Sequence, residues 1–210
     1  MKLYHAGGSP NSRRVRIFLA EKGLSIPLVS VDLGAKEQFS DAYRAINPRS
    51  VVPALVLDDG TALGEVLAIW RYVEEAFPEK PLLGATPKEK ALITMWERRM
   101  ELEGFLPTME AVRNAAPGLK GRAIAGPHAY AQIPELVERS KQRIRDFYAD
   151  LDGRLAVSHF VAGEAFSAAD ITALTTVQFA TRGADVPPAA ELGSLKRWYD
   201  LVSARPSATA

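Results

Sequence analysis

Two short runs constrain this chain more than anything else in it: Ser9-Pro10-Asn11-Ser12-Arg13-Arg14-Val15, and Val51-Val52-Pro53-Ala54 further on. The first sets hydroxyl and amide side chains where a strand (residues 2–5) turns through residues 6–10 into a helix (residues 15–22). Free backbone N–H groups and the positive dipole end favour an anion at a helix start, whether phosphate, carboxylate or thiolate. In the second run a proline opens an apolar strand. It has no N–H to give to a ladder, so it needs an edge, a strand start or a special turn. A cis Val52-Pro53 bond turns the Val52 backbone groups outward to pair with an extended peptide; a trans proline at a strand start is the alternative.

Composition narrows the setting. A chain of 210 residues exceeds one typical domain and suits two small ones. With 47% hydrophobic and 24% charged residues it can bury a core. A net charge of +1 gives no general basis for binding nucleic acid or an anionic membrane. No apolar run is long enough to span a bilayer, and Met1-Lys2-Leu3 leads straight into the first strand, so neither membrane insertion nor a signal peptide is expected. Cysteine is absent, which excludes disulfides, thiolate metal sites and a catalytic cysteine of the protein's own. Any thiol chemistry has to use a ligand's sulfur. His5, His128 and His159 show no ligand spacing, so neither a metal site nor a Ser-His triad is expected.

Along the chain, residues 27–33 read as a second strand, 54–57 and 61–63 as a hairpin across Asp58-Asp59-Gly60, and 65–77 as a helix. Pro78, Pro81, Gly84 and Pro87 crowd a boundary, which divides the chain into residues 1–79, a linker at 80–87 and residues 88–210. Beyond it the pattern is helical: a long helix at 88–112 kinked by Pro107, an irregular or mobile connection at 115–134, then helices at 135–151, 167–181 and 192–204. Ser167-Ala168-Ala169-Asp170 before an apolar helix is a capping box, and that structural role accounts for both polar residues. Trp96 and Met100 read as a core stripe by default, while their neighbours Arg98, Arg99 and Glu103 face a partner or a substrate pocket.

The order strand, polar helix start, strand, helix, Val-Pro, hairpin, helix resembles the thioredoxin-like domain of the cytosolic glutathione S-transferase family. Leu63-Gly64-Glu65-Val66-Leu67-Ala68-Ile69 is similar to that family's Glu-Ser before Ala-Ile, and Phe166-Ser167-Ala168-Ala169-Asp170-Ile171 to its Phe-Ser-x-Ala-Asp-Ile. Ala204-Arg205-Pro206-Ser207 is similar to many bacterial members. The resemblance implies an α/β thioredoxin-like glutathione-binding domain followed by an all-α C-terminal domain, in a cytoplasmic homodimer of the serine type acting in detoxification. It implies glutathione as co-substrate, with no separate cofactor, and a small hydrophobic electrophile attacked between the domains.

The resemblance also assigns residues. Ser9 falls where serine-type members carry the hydroxyl that holds the glutathione thiolate; Asn11 ranks second for that contact and Ser12 third. A hydroxyl donor and a helix N-terminus both lower a thiol pKa, although Ser-Pro also simply caps or turns a chain. Val52 and Pro53 mark the peptide-docking edge. Glu65 matches the acidic residue near the γ-glutamyl ammonium, or is a plain helix-start glutamate. Val66 departs from the pattern: it stands where the family has a serine for the γ-glutamyl carboxylate, and it also continues an apolar stripe with Ile69, Trp70 and Val73. Val51 replaces the lysine near the glycyl carboxylate, a contact that Arg49, Lys36 or Gln38 is left to supply. Two other readings stay open: a binding protein of the same fold without turnover, and a glutathione-dependent disulfide reductase.

Overall fold

The computed structural model describes residues 1–210, which cluster into two compact units. One holds residues 1–80 with 125–128 and 210, the other residues 81–124 with 129–209.

In the first unit the chain runs β1 (Lys2–His5), α1 (Pro10–Lys22), β2 (Leu28–Ser30), a 3-10 turn (Glu37–Phe39), α2 (Asp41–Arg44), β3 (Ala54–Val56), β4 (Ala62–Leu63) and α3 (Val66–Ala76). The sheet order is β2-β1-β3-β4, with β1 parallel to β2 and the other pairs antiparallel. Helix α1 begins five residues before the predicted start, because Pro10 suits the first helical turn and Ser9 caps it. It stops at Gly23, whose φ of 72° lets its N–H bond back to Leu19 and Ala20 carbonyls. Strand β2 is shorter than residues 27–33, and the four-residue α2 lies in a stretch without a helical pattern.

Helices α1 and α3 pack through fully buried Phe18 and Trp70, whose rings stack at 5.2 Å. Leu3, Leu55, Ile69 and Val73 complete that interior. Each such burial contributes about 1.5–3 kcal/mol relative to an exposed side chain. Lys22 reaches Glu74 at 2.8 Å and the Lys80 carbonyl at 3.0 Å, fastening the end of α1 to α3 and to the chain beyond it. The ammonium is almost wholly buried, so its three donors need these partners.

The second unit is helical: α4 (Pro87–Arg99), α5 (Leu106–Ala115), α6 (Glu135–Ala156), α7 (Ala168–Gly183) and α8 (Gly193–Ser203). The long helix predicted at 88–112 is interrupted by a π-helical turn at Met100–Phe105, so the irregularity precedes Pro107 rather than starting at it. Pro107 itself is the second residue of α5, directly after the π turn. Gly104 in the π turn lies so close to α6 that a Cβ there would stand 2.7 Å from the Phe147 ring. Met100 is core as expected, whereas Trp96 is half-buried, with the guanidinium groups of Arg99 and Arg154 at 4.7 and 4.6 Å from its ring.

The connection at 115–134 is tied down rather than loose. Gln132 donates to the Arg113 and Ala116 carbonyls at 2.8 Å, Arg113 donates to the Arg122 carbonyl, and Ile133 N–H donates to Asn114 Oδ1. Side-chain-to-backbone bonds across such spacings leave no local sequence pattern. No helix of the protein is long and apolar enough to cross a membrane.

The capping box at α7 is present, and Asp170 does more than cap. Its Oδ2 accepts from the Ser167 N–H and hydroxyl, while Oδ1 accepts from Val161 N–H at 3.0 Å and the Trp198 indole at 2.8 Å. One fully buried carboxyl thereby joins the α7 start, the preceding loop and α8.

Candidate functional site

The start of α1 is built by short-range bonds among small polar residues. Ser9 caps the helix with its Oγ accepting from Ser12 N–H at 3.3 Å, which leaves its hydroxyl hydrogen available to donate. Ser12 N–H and Arg13 N–H are both occupied by Ser9, and Pro10 has none, so Asn11 N–H is the open donor of this turn. Arg14 donates to Asn11 Oδ1 at 3.2 Å, and its guanidinium carbon lies 5.2 Å from the Trp70 ring centre. With Oδ1 engaged, the Asn11 amide presents its NH₂ to a ligand. Arg14 is 1% exposed, a buried positive charge one turn into the helix.

Ser12 corrects the ranking drawn from sequence. It is fully buried, and its Oγ accepts from Ala6 N–H at 3.2 Å. A hydroxyl without accessible surface is poorly placed to meet a ligand, and this one shapes the loop.

The Val52-Pro53 bond is cis. Neither the N–H nor the C=O of Val52 bonds to another group of the protein. The preceding carbonyl, that of Val51, is held by two donors: the Tyr43 hydroxyl at 2.7 Å and Asn47 Nδ2 at 2.8 Å. Burial pushes the Tyr43 hydroxyl up to about 12, against the Asn47 contact and with Tyr4 adding to it, so it stays a donor through the physiological range. Tyr43 and Val52 share a buried cluster with Ala6 and Val31, against which Tyr4 packs, and this assigns Tyr4 to the wall of that cluster. Sequence reasoning missed Tyr43 and Asn47; their only signal is proximity in the chain to Val51.

The other candidates are placed unequally. Glu65 is exposed, precedes α3 with φ of 62°, and makes no capping bond. Such a φ costs a non-glycine residue roughly 1–3 kcal/mol. Val66 is buried on the α3 face that carries Ile69, Trp70 and Val73, and its N–H falls in the first helical turn, where no carbonyl of the helix can accept it. Lys36 and Arg49 are exposed. Gln38 is 1% exposed, and both atoms of its amide lack partners. Ser50, singled out by no sequence argument, is also buried, with a φ of 54° and an unpaired Oγ. Buried polar side chains left unsatisfied, as at Gln38 and Ser50, are costly unless a ligand pairs them.

Taken together, one helix start offers a hydroxyl, an amide and a free N–H beside a buried guanidinium, and the same domain offers an unpaired peptide edge and a second helix start. That set suits a small peptide-like ligand carrying negative charge. The family model described as glutathione S-transferase, N-terminal domain matches residues 3–81, and the one described as glutathione S-transferase, C-terminal domain matches residues 109–206. The chain belongs to the glutathione S-transferase family. It is 35% identical to glutathione S-transferase 2 of Saccharomyces cerevisiae over 211 aligned positions, covering 99% of this chain and 87% of that one. It superposes on a glutathione S-transferase domain-containing protein of Marinobacter aquaeolei VT8 with a TM-score of 0.91 at 37% identity, covering 99% of both chains. Gtt2 of Saccharomyces cerevisiae gives 0.90 at 33% identity, covering 100% of this chain and 99% of that one.

Val66 yields a direct test. If Val66 stands at the γ-glutamyl carboxylate, Val66→Ser restores a donor for a charged acceptor and should tighten glutathione binding by up to about tenfold. The buried hydroxyl should also lower the melting temperature. Calorimetric affinity and a thermal melt on the same variant check both. Unchanged affinity with a lower melting temperature would confine Val66 to packing.

Proposed function

We propose that this glutathione transferase binds glutathione along Val52, holds its sulfur as thiolate at the start of α1, and conjugates it to a small hydrophobic electrophile. Ser9 donates its hydroxyl to the sulfur, as in a serine-type member. Asn11 assists through its NH₂ or backbone N–H, and Arg14 contributes positive charge. Val52 pairs with the tripeptide backbone, the first-turn N–H groups of α3 meet the γ-glutamyl carboxylate, and Glu65 meets the γ-glutamyl ammonium. Gln38 takes the glycyl carboxylate, with Arg49 and Lys36 as outer charges. Glutathione is co-substrate, and no further cofactor takes part.

The observation that carries this reading is the open polar start of α1, where Ser9 has a hydroxyl hydrogen to give and Asn11 an unused N–H. Each pKa unit removed from the thiol is a tenfold gain in the thiolate-to-thiol ratio. The proton leaves to solvent; the sulfur lone pair then forms the C–S bond as the leaving group departs with its electron pair. The comparisons favour the transferase over a silent binder or a disulfide reductase.

The finer reading is a cytoplasmic homodimer acting in detoxification. Exposed Leu92, Met95, Leu102 and Leu106 support a partner surface, since they recur along one run of helix at 38–47% exposure. Light scattering at micromolar concentration should give twice the 22.9 kDa chain mass; a monomer would overturn this part. Isothermal titration with glutathione and conjugation of a generic aryl halide test the function itself. Absence of both heat and product contradicts it.

A further inference from the structure

The loop that delivers Ser9 to α1 contains Gly7 and Gly8, both exposed, and a Cβ built on either would meet nothing within 4 Å. Two successive glycines in open space have more backbone freedom than any other pair, so they hold one geometry only if something outside ties them. Arg16, on the second turn of α1, supplies the tie. Its guanidinium donates to the carbonyls of Ala6 and Gly7, each at 3.4 Å. Ala6 is the hub of the site: its carbonyl also accepts from Ser9 N–H at 3.1 Å, and its N–H donates to Ser12 Oγ. The same guanidinium is 3.1 Å from Nδ1 of His5. An arginine only donates, so this contact requires an unprotonated Nδ1.

We propose that Arg16 is a positioning residue for the sulfur site, held in place by unprotonated His5, so that protonation of His5 frees the Ala6–Gly7 backbone. The proposal rests on the glutathione reading for its catalytic consequence, but not for the brace itself. A protonated imidazole has no acceptor for Arg16 and adds a second positive charge beside it. Arg16 of α1 is the charged group that meets the ring. Strands β2 (Leu28–Ser30) and β3 (Ala54–Val56), which flank β1, carry no ionisable side chain. Nothing in those strands therefore offsets the repulsion. Burial, and then the Arg16 charge, hold the His5 imidazole below its ordinary value, which keeps the brace closed at neutral pH.

The test uses the full chain, with Arg16→Gln, Arg16→Lys and His5→Gln. In ligand-free protein, the Ser9 amide should exchange with deuterium about tenfold or more faster in Arg16→Gln than in the wild type, after correction for intrinsic rates. Arg16→Lys should recover part of that protection. Wild type should lose it as the solution is acidified through the His5 titration, whereas His5→Gln, which keeps an acceptor but cannot titrate, should not. With glutathione and an aryl halide, Arg16→Gln should shift the pH–rate profile upward by about one unit, a loss of about fivefold at pH 6.5 that vanishes in alkali. A merely damaged fold lowers the rate equally at every pH. Unchanged Ser9 protection in Arg16→Gln overturns the brace, and equal acid sensitivity in His5→Gln overturns the histidine control. A wild type with neither glutathione binding nor turnover overturns the glutathione reading, and exchange alone then decides the brace.

Discussion

Asp170→Ala should destabilise the protein by about 3–5 kcal/mol. The substitution removes a helix cap, worth about 0.5–2 kcal/mol, and strands two buried donors, Val161 N–H and the Trp198 indole, at about 1–3 kcal/mol each. For a chain of this size that lowers the melting temperature by roughly 10 °C or more. Asp170→Asn keeps the volume but sets an NH₂ against two of the donors, so it should recover only part. Burial pushes the Asp170 carboxyl up to about 6, although four donors work in the other direction. A raised carboxyl favours the protonated native state. Its contribution to stability is therefore complete below the unfolded value of 3.8 and declines as pH rises through about 6. Thermal melts from pH 3.5 to 7.5 on wild type and Asp170→Asn should show this slope in the first and not in the second. A loss below 1 kcal/mol in Asp170→Ala would mean that the three-way junction contributes little.

Ser9→Ala is the corresponding prediction for chemistry. Loss of one hydrogen bond to a charged sulfur should raise the bound thiol's pKa by about one unit or more. Conjugation at pH 6.5 should then fall about fivefold or more, with recovery in alkali where the thiol ionises unaided. The helix also loses its cap, so the melting temperature should drop slightly. Asn11→Ala should give a smaller rise, because its side chain is one of two donors at that residue. An unchanged thiol titration in Ser9→Ala would move the sulfur to Asn11.

What was legible in the sequence was local. The strand-loop-helix at the start, the hairpin across Asp58-Asp59-Gly60 and the box at Ser167 and Asp170 each depend on residues a few positions apart, whose turn and cap chemistry is written in order. The π turn at Met100–Phe105 was not legible, because nothing in its composition separates it from ordinary helix and the close approach of Gly104 to Phe147 belongs to the packing of α6. The Asp170 bond to Trp198 spans 28 positions and follows from packing alone. At the candidate site, Ser9 and Val52 could be named from motif and turn. Ser12 could not be demoted until its burial was known, and the grip of Tyr43 and Asn47 on the Val51 carbonyl needed the fold. The brace of Arg16 was hidden for the same reason: its partners are carbonyls, which every residue has.

The central claim is that the start of α1 holds glutathione as a thiolate. Ultraviolet titration of the sulfur in the wild-type complex, followed by the thiolate absorbance as pH rises, measures it directly. The account predicts a midpoint below pH 7, about two units under an ordinary thiol near 8.5. A midpoint at the ordinary thiol value, with glutathione demonstrably bound, would contradict it.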